Sequence, residues 1–350
     1  MRLNKLVIII SISILSLIFF FVPSPPWVSV YLGGTNNIEK KTLRELYQLI
    51  ETSSPDVSFI AAKKIATYLA ETKQWEKRAG FLSYMVSRAP QENISAYYIF
   101  LLAEQYRQNN KTNLAINYYK RIVNTYPDLV LKGQHLHLES LKEIVERLDD
   151  PWERIKYYNL LIQKFPSQID TGVAYYFLAE AYKDAGMWDE ALKTYKIFLN
   201  YPDSNIPGEP NAYLKVSELL DFHNSSKNWL FEDLESLVDA IKYAIYTRNS
   251  ALLARYRAKV NFFSISWEQE KTAKNAQIIF DFRAFFSGGR VRFSDNIDKS
   301  SNAKEAYLKT WGWSYRINTW YLYFRKVDYP FDPEIDGKWE WAGIYFGEKL

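Results

Sequence analysis

The stretch AYYFLAEAYKDAGMWDEALKTYKIFLNYP, Ala174 to Pro202, reads as two helices folded back on one another, and it recurs. LLAEQYRQNNKTNLAINYYKRIVNTYP, Leu101 to Pro127, pairs Ala103 with Ala179, Tyr106 with Tyr182, Ala115 with Ala191 and Tyr119 with Tyr195, each pair 76 residues apart. That is two periods of 38, so a unit belongs between them, and Leu138 to Pro166 supplies it with a double Tyr and a closing Phe-Pro. A fourth unit, Ile60 to Pro90, comes first. The alanines are small where two helices must approach closely, and the tyrosines fill the space beside them. One such hairpin cannot bury its apolar stripe alone, so the pattern requires stacked neighbours. The fold expected is an α-helical solenoid of about four hairpins, which places function on a surface and not in a catalytic cleft.

These residues resemble the tetratricopeptide repeat (TPR) family, whose first helix carries a Leu-Ala pair and then Tyr, whose second carries a small residue and then an aromatic, and whose unit closes with Pro. Leu178, Ala179, Tyr182, Gly186, Ala191, Tyr195 and Pro202 match, as do Leu102, Ala103, Tyr106, Ala115, Tyr119 and Pro127. The other two units depart: Arg78 and Arg154 replace the small residue, and Val145 replaces a Tyr. The resemblance spans about Thr42 to Asp203 with a loose spacing of 37 to 39. The closing NTYPD, QKFPS and NYPDS are similar to repeats of envelope-type TPR proteins. The resemblance implies a peptide or protein partner held in an inner groove. By register, that groove is lined by Lys63 and Thr67, then Phe100, Glu104 and Arg107, then Glu139, Glu143 and Glu146, then Tyr176, Glu180 and Lys183. Chaperone-clamp grooves hold a carboxylate with Lys and Asn. Here there is no Asn and there are several carboxylates, which fits a partner with basic groups.

The first thirty residues set the compartment. Arg2 and Lys5 precede Leu6–Val22, a charge-free run of 17 residues that as a helix would rise roughly 26 Å, close to a bilayer core. Basic residues before the run place the N-terminus inside. The exit, FFFVPSPPWVSV, lacks the small residues a signal peptidase needs, which favours an uncleaved anchor over a cleaved signal. Residues 1–30 are therefore expected to be a single-pass anchor in the cytoplasmic membrane, with the bulk of the chain periplasmic or otherwise extracytoplasmic. There is no Cys, so disulfides, thiolate metal sites and a lipidated N-terminal Cys are excluded. Forty-four basic against 40 acidic residues leave a net charge of +4, too balanced to argue for nucleic acid.

The helical repeat domain is expected over 42–222, with HNSSKNW (His223 to Trp229) as a linker, and a small α+β domain over 230–350. In that second domain, AQIIFDFRAFF and VRF alternate around Gly288-Gly289, a hairpin signal. Two helices followed by four or five antiparallel strands faintly resemble the cone of nuclear-transport-factor-like domains. Its tryptophans, Trp320, Trp339 and Trp341 among them, suit a packed β core. The alternative is an exposed face that stacks on glycans or clamps a peptide. No nucleophile, phosphate-cradling or zinc motif is present; His135 and His137, at i and i+2, fall on different sides of a helix; and Glu340 lacks a spaced acid partner. The expected protein is thus non-enzymatic, without cofactor or metal: a membrane-anchored scaffold for protein–protein interaction, with a glycan-binding or glycan-acting C-terminal module as the alternative.

Overall fold

The computed structural model describes residues 37–268, 282–288, 290–314 and 316–349. The apolar run Leu6–Val22 lies outside these residues; among the described ones no helix is long and apolar enough to cross a membrane. The chain forms two compact units, one ending at Ile169 and the other beginning at Asp170. This division falls inside the 42–222 span, so the last repeat belongs with the sheet and not with the hairpins before it.

The first unit contains α1 (Asn37–Thr52), α2 (Pro55–Glu71), α3 (Trp75–Arg88), α4 (Ile94–Gln108), α5 (Thr112–Thr125), α6 (Leu136–Arg147) and α7 (Pro151–Lys164). Each packs on the next, and α4 also packs on α6, which is how one hairpin stacks on another. The hairpin turn is set by a helix C-terminus that enters the left-handed region. After α2 and α4 it falls on Lys73 (φ 57°) and Asn110 (φ 56°). In both turns two amides bond back to free helix carbonyls: Lys73 to Ala70 and Gln74 to Leu69, Asn110 to Arg107 and Lys111 to Tyr106. Between α5 and α6 the spacing is lengthened by a small hairpin not signalled by the repeat, β1 (Val130–Leu131) and β2 (Gln134–His135). Its two-residue turn is Lys132-Gly133, both with φ > 0 (52° and 81°), the geometry that matches strand twist. Asp150 caps α7 by accepting from the Glu153 amide, with Pro151 beside it.

The second unit opens with the hairpin α8 (Thr171–Asp184) and α9 (Trp188–Phe198), followed by α10 (Ala212–Asn224), α11 (Leu234–Tyr246) and α12 (Ser250–Tyr256). Asp170, Asp233 and Asn249 cap α8, α11 and α12 through side-chain oxygens. The turn between α8 and α9 repeats the motif of the first unit, with Gly186 (φ 73°) at the left-handed position. There follow β3 (Phe263–Ser266), α13 (Phe282–Gly288), β4 (Arg292–Phe293), β5 (Glu305–Trp311), β6 (Thr319–Lys326) and β7 (Trp339–Phe346). They form a sheet of order β3-β7-β6-β5-β4.

Three expectations are corrected here. The sheet is mixed and not antiparallel: β3 runs parallel to β7, Phe263 opposite Gly343. Such a pair joins distant segments and leaves no local turn signal. Phe282–Gly288 is a helix and not the arm of a hairpin. Phe282 and Phe286 are buried one turn apart, with Phe285 packed on the same core, so the spacing that matters is three to four and not two. Residues 223–229 are not a free linker. Trp229 is fully buried and donates its indole N–H to Glu340 at 3.0 Å; His223 Nδ1 meets the Tyr329 hydroxyl at 2.6 Å.

The sheet has two apolar faces because its strands alternate. Leu308, Trp320, Leu322, Phe324, Trp341 and Ile344 point to one side, against α11 and α13. Tyr307, Tyr321, Tyr323 and Tyr345 point to the other, where Trp267 stacks on Tyr345 at 4.2 Å. A bulge between Tyr323 and Phe324 keeps β7 in phase with both faces.

Candidate binding surface

In the first unit the register brings Phe100, Glu104, Arg107, Glu143 and Glu146 together. Phe100 is half-buried, edge-on to Tyr119 with ring centres 5.9 Å apart. Glu104 accepts from Arg107 Nη2 at 2.7 Å and from the Tyr119 hydroxyl. Burial alone would raise its pKa; the Arg107 and Tyr119 hydrogen bonds outweigh that and hold the carboxyl below its ordinary range. Glu143 lies 3.5 Å from Arg107 and 2.7 Å from Arg147. There burial outweighs the two arginines, and its pKa is raised. Glu146 pairs with Arg147 at 2.7 Å. Glu139 stands apart, paired with Lys142 at 3.3 Å, and Lys63 lies over the Tyr97 ring at 5.7 Å. The row that looked acidic in the sequence is therefore a ladder of alternating charge tying α4 to α6. Its carboxylates are already matched by cations of the same chain.

The second unit repeats the same bracket 76 residues later. Glu180 accepts from the Tyr195 hydroxyl and from Lys183 at 2.5 Å, as Glu104 does from Tyr119 and Arg107. Burial, followed by the Glu180 charge and hydrogen bond, raises the Tyr195 pKa, so this phenol stays a donor. Tyr176, edge-on to Tyr195 at 6.2 Å, has its pKa pushed by burial to about 12.

Tyr176, Glu180, Lys183 and Tyr195 form one wall of a cleft of about 660 Å³. The facing walls come from residues that the repeat pattern did not indicate: Val216, Glu218, Leu219 and Phe222 of α10, Val260 and Asn261, and Arg325 to Phe331 at the end of β6. The segment Tyr329-Pro330-Phe331 closes one side. Phe331 meets Trp188 edge-on at 5.3 Å, and Tyr329 packs on Phe222 at 4.9 Å. In the sequence YPFDPEIDG carries only turn signals; nothing in it says which surface the turn is folded against.

The alternative aromatic site is corrected: Trp320, Trp339 and Trp341 are 3%, 6% and 0% exposed and lie in the core. Glu340, 2% exposed, is bound by Arg325 at 2.8 Å and by Trp229, which makes it a buried brace. Among the described residues no three His, Asp or Glu gather as a metal ion would need.

Residues 97–129 and 173–204 match the family model described as tetratricopeptide repeat. Two of its helix hairpins thus match tetratricopeptide repeats. The matched segments are α4–α5 and α8–α9, the two hairpins that carry the Glu–Tyr bracket; the two with degenerate motif residues lie outside the match. A solved structure of YrrB, described as a TPR protein with an unusual peptide-binding site, is similar at 14% identity, covering 60% of this chain and 95% of its own, with a TM-score of 0.35. No curated protein sequence matches the chain at a significant level.

Proposed function

We propose that this chain is a non-enzymatic interaction scaffold that holds a peptide or protein partner against its TPR hairpins. The observation that carries this reading is the pair of tetratricopeptide hairpins, with an accessible cleft beside the second. Mixed apolar and polar walls of this size suit an extended segment with a few anchoring side chains. We further infer a tether: the charge-free run Leu6–Val22 behind Arg2 and Lys5 motivates anchoring in the cytoplasmic membrane, with the scaffold in the cell envelope. The glycan reading loses its site, because the three tryptophans it needed are in the core. A basic partner is not favoured by the first unit, whose glutamates are ion-paired.

The test is photo-crosslinking in cells. A benzophenone amino acid placed at Phe100 or Lys183 should give adducts with a discrete partner. The same probe at Tyr243, 60% exposed on α11, should not. Adducts from Tyr243 alone would place the interaction elsewhere and end this reading.

A further inference from the structure

The charges lining the second unit's cleft are not equally engaged. Each of its four basic side chains has a partner: Lys183 with Glu180 at 2.5 Å, Lys215 with Glu209 at 2.6 Å, Arg325 with Glu340 at 2.8 Å, and Lys326 over the Trp339 ring at 5.7 Å. Of its five carboxylates, Glu218 and Asp328 have neither a hydrogen bond nor an ion pair among the described residues. An anionic ligand entering the cleft would meet three cations already paired with carboxylates and only Lys326, held over a ring, without one. A cationic one finds two carboxylates whose charge is unmatched.

We propose that this cleft takes a single lysine or arginine side chain of a partner peptide, with an apolar residue beside it. The inference rests on the peptide-binding reading above and names the chemistry of one site within it. Leu219, Phe222 and Val260 give the aliphatic stem an apolar bed, and long basic side chains lie on such surfaces while keeping the charged head toward carboxylates. The loop at Tyr329–Phe331 limits the occupant to a short segment, because it is fixed from both ends: Phe331 packs on Trp188, and the Tyr329 hydroxyl is held by His223 at 2.6 Å. Glu218 comes from the helix after the last repeat and Asp328 from the end of the sheet, so the site exists only where the two are folded together in one unit.

Three capped pentapeptides test this by calorimetry on the full chain: Ala-Phe-Lys-Phe-Ala, the same with norleucine for lysine, and the same with glutamate. Norleucine keeps the stem and removes the charge. The lysine peptide should bind roughly tenfold more tightly than the norleucine peptide, the scale expected of two partly exposed carboxylates. That margin should shrink as salt is raised. Glu218→Gln with Asp328→Asn should bring the lysine peptide down to the norleucine value and leave the norleucine peptide unchanged. Equal binding of lysine and norleucine peptides, a preference for glutamate, or a lysine preference that survives the double substitution would each overturn the inference while leaving peptide binding intact. Absence of binding by all three overturns both the inference and the cleft as a peptide site.

Discussion

At the scale of single residues, two buried polar groups in the first unit do work that hydrophobic patterning cannot report. Arg78 stands where the repeat prefers a small residue, and it is 7% exposed. Its guanidinium donates to the Ala66 carbonyl at 3.1 Å, the Leu101 carbonyl at 3.1 Å and Gln105 Oε1 at 2.9 Å. It cross-braces α2, α3 and α4. Arg78→Ala removes these charged hydrogen bonds and leaves a cavity, so it should cost about 2–4 kcal/mol in urea unfolding. His137, 2% exposed, is held as a neutral ring. Nε2 donates to the Tyr126 carbonyl at 3.0 Å, and Nδ1 accepts from the Lys164 ammonium at 3.3 Å. Burial first, and then the Lys164 charge, set its pKa below 6.5, against a smaller opposing pull from Asp128. The unfolded chain therefore takes up this proton before the folded chain does. His137 costs no stability well above pH 6.5 and progressively more as the pH falls through that value toward the lowered folded pKa. The melting temperature should drop on going from pH 7 to pH 5, and His137→Gln, which keeps a donor for Tyr126, should show a smaller drop.

At the scale of elements, close approach decides which residues are tolerated. Ala191, fully buried in α9, faces α8. Ala191→Leu should overpack the hairpin and cost about 1–3 kcal/mol, read as a lower melting temperature. Gly343 in β7 sits under the Phe263 ring: a Cβ built there would lie 2.6 Å from a ring carbon. Gly343→Ala should destabilise by about 1–3 kcal/mol, and Phe263→Leu in the same background should recover part of the loss. Additive effects in that double-mutant cycle would show that the contact does not set the cost. The same two strands form the parallel pair, so glycine is what lets the aromatic of β3 lie across β7.

At the scale of the whole molecule, the proposed anchor is open to a fractionation test. If Leu6–Val22 is an anchor, full-length protein should stay in the membrane pellet after alkaline carbonate extraction, and a chain beginning at residue 37 should be released. Full-length protein in the supernatant would end the anchoring proposal. The two carboxylates of the proposed cation site come from different parts of one unit, Glu218 from α10 and Asp328 from the end of β6. Damage to the sheet core should therefore reach the cleft, which buried Glu340 of β7 and Val327 at the end of β6 help to line.

The sequence by itself determined what depends on local spacing. Small residues at 103, 115, 179 and 191 with tyrosines at 119 and 195 specify helix hairpins, because a 3.6-residue period puts them on one face and a bare methyl allows contact there. It placed Phe100, Glu104 and Arg107, and Tyr176, Glu180 and Lys183, on common faces for the same reason. It did not reveal that those glutamates were also bound from the next helix, because Tyr119 reaches Glu104 and Tyr195 reaches Glu180 across a hairpin, a contact that the period of one helix does not encode. Nor did it separate a functional tryptophan from a core one. Trp341 and an exposed aromatic read alike in sequence, and burial is fixed by what the chain lays over them. Only the tertiary structure decided the parallel β3–β7 pair, the burial of Trp229 against Glu340, and the fold of Tyr329–Phe331 beside the last repeat. Each joins segments about 80 to 140 residues apart, and contacts of that range leave no pattern in the residues between them.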